Sequence, residues 1–247
     1  MRLFLAFIIS CIFLFASETT PSSYVNDDFD AEFNDTQNQE LFDPLSSYNE
    51  SMTTFNDSFY EYILKPTAEG YAFIVPQQAR NGISNFFDNL LFPIRFANNL
   101  LQLKFFNALE ESERFMINST MGILGFRDLA DEELGIKAHD EDLGQTLGYY
   151  GLGSGFHIVL PFLGPSNVRD LVGLSGDMWL NPINYFEARH LNLLKNQEQA
   201  LATTAFFTIN ETSLHVKEYA QLKKDAIKLY PFMRSLYESR RNKLIHE

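Results

Sequence analysis

The sequence predicts an all-α single domain of about seven amphipathic helices, carrying one glycine-hinged apolar loop. Three observations lead there. Apolar residues return at helical spacing through most of residues 44–205. Prolines and short polar residues stand where helices start and stop. One stretch, His139 to Asp170, refuses the pattern: it opens acidic, passes glycines at Gly151, Gly153 and Gly155, and becomes apolar from His157 to Leu163. Alternate glycines make a poor helix and a poor central strand. They predict a hinge followed by a short apolar hairpin or loop, which either the rest of the protein or a lipid should cover.

Composition narrows the function. A net charge of −13 argues against nucleic acid and against electrostatic attachment to anionic headgroups. Contact with a membrane would have to be hydrophobic. The one cysteine, Cys11, lies in the N-terminal apolar run, so the body has none for a disulfide, a zinc site or a thiol nucleophile. No cofactor motif is present.

Residues 1–17 read as an export signal: Arg2 precedes an apolar run too short to span a bilayer. Two endings compete. Either Ile8-Ile9-Ser10-Cys11 is a loose lipobox and Cys11 is lipidated, or a signal peptidase cuts near Ala16 or Ser17. Residues 18–43 form an acidic, flexible linker without lysine or arginine. Its acids lack the spacing of a calcium loop.

The helical domain, 44–205, starts with Asp43 as a cap and Pro44 at the first helical position. Tyr48, Met52, Phe55, Phe59 and Ile63 make one apolar stripe, and Pro66 ends or kinks that helix near Lys65. A second helix runs from Gln77 with Ile83, Phe86, Phe87, Leu90 and Leu91. Pro93 opens a third with Phe96, Leu100 and Leu103. Phe105, Leu109, Phe115 and Met116 continue the spacing. Taken singly, such stripes are core. Doublets such as Phe86-Phe87 and Phe105-Phe106 widen the apolar sector, which suits a helix buried on one side and lying in lipid on the other. Gly122 and Gly125 then interrupt the pattern, either packing helices closely or acting as a hinge.

His139-Asp140-Glu141-Asp142 is the best candidate for chemistry, as a metal site or an acid/base pair. Neighbours on one segment point in different directions, and no second histidine or Ser elbow supports them. They are expected to cap a helix over Leu143–Leu147. Gly-x-Gly-x-Gly is no dinucleotide fingerprint, because it follows a helix and lacks the βαβ frame. Ser166 is expected to cap a helix from Val168 to Met178. Tyr185, Phe186, Leu191 and Leu194 continue the domain, and Ala200–Ile209 is a helix or a packed loop. Residues 206–247 predict a C-terminal helix, regular from about Ser213 and kinked at Pro231, with Arg234, Arg240, Arg241 and Lys243 at a solvated end.

The stretch HDEDLGQTLGYYGLGSGFHIVLPFLGPSNVRD resembles the signature of the MlaA (VacJ) family of bacterial outer-membrane phospholipid-transport lipoproteins. Leu143 stands where Phe is common, and Phe156-His157 where Pro-Tyr is common. DPLSSYNESMTTFND, VPQQARNGISNFFDNL, NNLLQLKF and RFMINSTMGILGFRDLA resemble further family segments, with Leu103 replacing a usual Gly. The resemblance covers about Asp43 to Tyr185. It implies a ring of helices lying in the membrane plane, in the inner leaflet of the outer membrane on its periplasmic face. A central channel would take mislocalised phospholipid from the outer leaflet. A soluble periplasmic lipid carrier, MlaC-like, would receive it, with trimeric porins as partners. No bond is broken, so no catalytic residue and no cofactor are expected. The resemblance assigns Gly151 and Gly153 to the hinge of a loop beside the channel, with Gly155 in that loop, and the segment Ile158–Leu163, with Leu160 and Pro161, to lipid contact. It assigns Phe55, Asn56 and Asp57 to setting how open the channel rests. Two other readings are a periplasmic lipid hydrolase using His139 and its acids, and a purely structural outer-membrane anchor.

Overall fold

The computed structural model describes residues 43–184 and 197–246, all within one unit, Phe42–Glu247. The signal, Cys11 and the linker up to residue 42 lie outside the described residues, as do Tyr185, Phe186, Leu191 and Leu194. Helix α1 is Ser46–Phe59 and α2 is Lys65–Ile74, joined without a break by a π-turn, Tyr60–Leu64. Of the two outcomes expected at Pro66, an end or a kink, the end is absent, since the helix runs on through the π-turn. Pro66 has no N–H to donate, and the wider π-turn, closed by Lys65 N–H on the Tyr60 carbonyl, absorbs its ring. The chain ends α2 at Val75, ahead of Pro76. Then come α3 (Gln77–Leu90), α4 (Phe92–Leu101), α5 (Phe105–Thr120) and the short α6 (Leu129–Glu132).

Helix α7 is Leu143–Tyr149, β1 is His157–Leu160, β2 is Gly164–Asn167 and α8 is Val168–Leu180. The two strands pair antiparallel with Leu160 opposite Gly164, so the apolar segment is a hairpin with Pro161, Phe162 and Leu163 at its tip. The cap of α8 is Asn167, whose side chain accepts from Asp170 N–H at 2.8 Å. Ser166, expected there, sits in β2 instead, because the strand carries the chain one residue further before it turns. Backbones of α7 and α8 touch at Gly144 and Gly173, where a Cβ on either would collide with the other helix or its ion pairs.

The C-terminal region departs most from expectation. One helix, α9, runs Gln197–Asp225, straight through the boundary expected at 205/206. The break falls at residues 226–228, and α10 is Leu229–His246. Pro231 thus occupies the first turn of a new helix, where its missing N–H costs nothing, rather than kinking an old one. Helix α9 packs on α2 and α3, α8 on α7, α5 on α4, and α10 on α7, α1 and β2.

The side-chain arrangement inverts that of a water-soluble bundle. On α5 the buried face reads Ala108, Glu111, Arg114 and Asn118, while Phe105, Phe106, Leu109 and Met116 are exposed. On α4 it is Asn98, Asn99 and, just after the helix, Gln102 that are buried, with Leu100, Leu101 and Leu103 outside. The α1 stripe expected as core likewise leaves Tyr48 and Phe55 exposed and buries Asn49. Glu111 is 0% exposed and Phe106 is 84% exposed. Burying a polar group costs energy unless it is paired, and apolar area left in water costs about 25 cal/mol per Å². Pairing within the protein offsets the first cost, and an apolar surrounding removes the second. No described helix is long and apolar enough to cross a membrane.

Helix α10 closes the structure with an ion-pair lock. Arg241 is buried. It donates to both Asp142 oxygens at 2.6 and 2.8 Å and to Asp170 at 2.9 Å. The solvated basic end expected here is wrong for Arg241: one helix face turns it inward onto the caps of α7 and α8. Burial pushes both carboxyls up. The guanidiniums of Arg241 and, at Asp170, Arg169 outweigh it and hold both below their ordinary values. Folded values below an unfolded value of about 3.9 add stability above that pH and lose it as pH falls through the folded values. Arg241→Ala is expected to lose about 3–5 kcal/mol at pH 7, by denaturant titration in detergent. The gap to wild type should close below about pH 4. A gap that is constant with pH would contradict the lock.

Candidate functional site

The hairpin is held by side chains of α1 rather than by a third strand. Asn49 and Asn56 stand two helical turns apart on one face of α1, opposite the outer edge of β1. The Asn49 amide oxygen accepts from Val159 N–H at 2.8 Å, and its Nδ2 donates to the His157 carbonyl at 3.1 Å. Asn56 repeats the pattern at the tip: its oxygen accepts from Phe162 N–H at 2.8 Å, and its Nδ2 donates to the Leu160 carbonyl at 2.8 Å. The amides thus satisfy strand-edge groups that would otherwise lie unpaired. Phe162 sits at φ 65° and packs edge-on against Phe55 and Phe59, with centroids 5.3 and 4.9 Å away. Such a φ in a non-glycine residue costs about 1–3 kcal/mol and persists only where surrounding contacts fix it.

Of the residues singled out by sequence, the structure brings Phe55, Asn56 and Asp57 together with the hairpin tip. Asp57 pairs with Lys223 of α9 at 2.8 Å and accepts from Tyr219 OH at 3.2 Å. A pocket of about 160 Å³ lies here, walled by Phe59, Leu64, Val159, Phe162, Leu163 and Met233, with Asn56, Asp57, Tyr60, His157, Tyr219, Tyr230 and Arg234 contributing polar groups. Leu163 is exposed, and Ile158, Leu160 and Pro161 line the rest of the hairpin. Gly151 takes φ 88° and Gly155 φ 71°, while a Cβ at Gly151 or Gly153 would meet nothing within 4 Å. Gly155 is packed against Val168. Gly122 and Gly125 lie elsewhere, in the turn after α5. A Cβ on Gly122 would collide with the Arg127 and Asn118 carbonyls, and Gly125 takes φ 93° against Asn89. Ile123 and Leu124 take φ 55° and 59° in the same turn, with their side chains exposed.

The acids beside His139 diverge. His139 N–H donates to Glu111 at 2.7 Å, and its ring meets Glu110 at 2.6 Å. The Asp140 side chain is exposed. Glu141 is buried between Gln102 at 2.7 Å and Lys104 at 2.6 Å. Asp142 caps α7 through Gln145 N–H at 2.8 Å. The segment anchors α7 against α4 and α5, and among the described residues no His, Cys, Asp and Glu cluster could hold a metal.

Sequence reasoning gave no site role to Asn49, His157, Tyr219, Lys223, Tyr230 and Arg234. The Asn49–Asn56 pair was legible as polar residues recurring on one helix face. The α9 and α10 partners had no local signal, since they come from far along the chain. Tyr230 OH donates to Asp43, and Arg234 holds the same carboxylate at 3.0 Å. Asp43 therefore fastens α10 rather than capping α1.

The model of the MlaA lipoprotein family matches residues 41–244. The chain belongs to the MlaA lipoprotein family. The match reaches well beyond the Tyr185 limit expected from the motifs and takes in α9 and most of α10. The lipoprotein MlaA of the intermembrane phospholipid transport system of Escherichia coli K12 is 37% identical over 139 residues, 55% of this chain and 55% of that protein. The MlaA of Haemophilus influenzae is 34% identical over 143 residues, 57% of each. An uncharacterized protein of Rickettsia bellii is 31% identical over 175 residues, 69% of this chain and 68% of that one. This chain thus spans little more than half the length of the MlaA relatives. A solved structure concerned with maintenance of bacterial outer membrane lipid asymmetry superposes with a TM-score of 0.67 at 26% identity, covering 83% of this chain and 99% of that chain.

Replacing Asn56 by Leu should release the tip and leave the base of the hairpin in place. Amide hydrogen exchange is expected to quicken at least tenfold at Phe162, and to stay near wild type at Val159, still held by Asn49. Equal protection of Phe162 in both proteins would mean that Asn56 does not hold the tip.

Proposed function

We propose that this protein moves phospholipid as part of an intermembrane transport system that keeps the outer membrane asymmetric. The single observation that carries the reading is the inverted polarity of the fold: buried faces of asparagine, glutamate and arginine behind exposed faces of phenylalanine and leucine. Such a body suits immersion in lipid. Helices not long and apolar enough to span would lie in the membrane plane, with their polar faces turned toward a shared interior. Names and structures of the family relatives support the same function.

On this reading the helices ring a polar passage within the inner leaflet, open on the periplasmic face. Phospholipid displaced into the outer leaflet enters, passes the hairpin and leaves to a soluble periplasmic carrier. Trimeric porins are the proposed membrane partners. Residues 1–17 direct export, Cys11 is the candidate lipidation site, and residues 18–43 tether the body. Gly151 and Gly153 let the hairpin swing, and Asn56 with its neighbours Phe55 and Asp57 sets its resting position. The protein supplies a path and makes or breaks no bond.

Deleting the gene should raise phospholipid in the outer leaflet, measured by selective surface labelling. Wild-type and His139→Ala copies should both reverse it. Gly151→Val and Gly153→Val proteins should fold, with helical circular dichroism retained, and fail to complement. Full complementation by both valine variants would overturn the hinge, and an unchanged outer leaflet on deletion would overturn the transport role.

A further inference from the structure

We infer that the pocket between α1, the hairpin and the α9–α10 junction is a holding site that prefers phospholipid headgroups bearing a primary ammonium, as in phosphatidylethanolamine, over anionic ones. The inference rests on the transport reading and names the lipid class it favours.

The walls and the charges make separate demands. Phe59, Leu64, Val159 and Met233 give the pocket an apolar wall suited to the glycerol end of an acyl chain. Its volume of about 160 Å³ admits a headgroup or a few methylenes, not a whole lipid. The cations at its border are already engaged by carboxylates. Lys223 holds Asp57 at 2.8 Å and Glu61 at 3.4 Å, Lys65 holds Glu61 at 3.1 Å, and Arg234 holds Asp43 at 3.0 Å. Glu238 adds a further carboxylate behind His157, at 3.1 Å from its Nδ1. An anionic headgroup would have to compete with these carboxylates for every cation. Asp57 lines the pocket itself, and the four carboxylates outnumber the three cations, so the border carries a net negative charge that favours a cation over an anion.

Two pocket residues report the same field. Burial first, and then the charges of nearby carboxylates, raise the hydroxyls of Tyr60 and Tyr219 above their ordinary values. Glu61 and Glu69 act on Tyr60, and Asp57 and Glu61 on Tyr219. His157 supplies an independent sign. It lines the pocket and is 2% exposed, and its Nε2 has no hydrogen-bond partner among the described residues. With Nδ1 engaged by Glu238, Nε2 is a buried polar atom that still wants a partner, which a polar headgroup can supply.

The test uses the full chain in non-ionic detergent at low salt. Binding of dihexanoylphosphatidylethanolamine and dihexanoylphosphatidylglycerol is measured by native mass spectrometry. The ethanolamine lipid should bind on the order of fivefold tighter, the effect of about one partly screened charge at contact distance. Asp57→Asn should shrink that ratio, and Lys223→Gln, which strips a cation from the same carboxylates, should widen it. Loss of folding would move both variants the same way, so opposite shifts identify the charge. Equal affinities for the two lipids, or parallel shifts in both variants, would overturn the inference while leaving transport standing. Binding of neither lipid would also overturn it, and the outer-leaflet labelling of the deletion strain decides separately whether transport falls as well.

Discussion

Most of the polar side chains shut inside this protein are paired with one another, and the rest of the structure follows from that pairing. Asn98 bridges Asp177 at 3.0 Å and Thr146 at 2.9 Å. Gln102 reaches Glu141, and Arg95 reaches Glu111 at 2.7 Å. These bonds join α4, α5, α7 and α8 through side chains that a water-soluble bundle would turn outward. Such a network discriminates sharply between right and wrong packings, because removing one partner strands another in a low-dielectric interior. The apolar side chains are left to face outward, and a lipid surrounding removes the cost of leaving them there.

The same logic explains why the acidic signature and the C-terminal helix belong together. Asp142 caps α7, Asp170 lies in the first turn of α8, and the two share Arg241. Asp43, ahead of α1, takes Tyr230 and Arg234 of α10. Helix α10 is thereby sewn to both ends of the family-like region, and it brings Tyr230 and Met233 to the pocket. The hairpin is treated differently. Its base is buried and doubly bonded to Asn49, whereas its tip depends on Asn56 and on aromatic contacts with Phe55 and Phe59. The base and the tip are thus each fixed to α1 by one asparagine, and the tip by aromatic contacts as well.

Much of this was legible in the sequence. Helix starts at Gln77 and near Pro93 follow from proline and spacing, and the α7 cap at Asp142 follows from its acidic lead-in. The alternating glycines and the apolar run announce the hairpin. Other readings were altered for physical reasons. Pro66 reads as an end or a kink because a normal α-turn cannot absorb it, and a π-turn lets the helix run on. Asp43 reads as a cap because of Pro44, but its carboxylate is claimed by α10, which arrives from 187 residues downstream. The stripes read as core because periodicity gives the width of an apolar face and not its solvent. Only the accompanying polar stripe, such as Glu111, Arg114 and Asn118, identifies which face is inside. The α9 and α10 contributions to the pocket had no local signature, since long-range partners leave no trace in spacing.

The most direct test of an apolar exterior set in lipid uses the single tryptophan. Trp179 lies on α8 beside Met178, on the face opposite Asp170 and Asp177, and is 69% exposed on the protein surface. The full chain would be placed in phospholipid vesicles, some carrying bromine on their acyl chains, and its fluorescence recorded. Immersion in lipid requires blue-shifted emission, strong quenching by the brominated chains and little by aqueous iodide. Emission near that of tryptophan in water, with iodide quenching and no effect of bromine, would contradict the lipid-facing arrangement on which the functional reading stands.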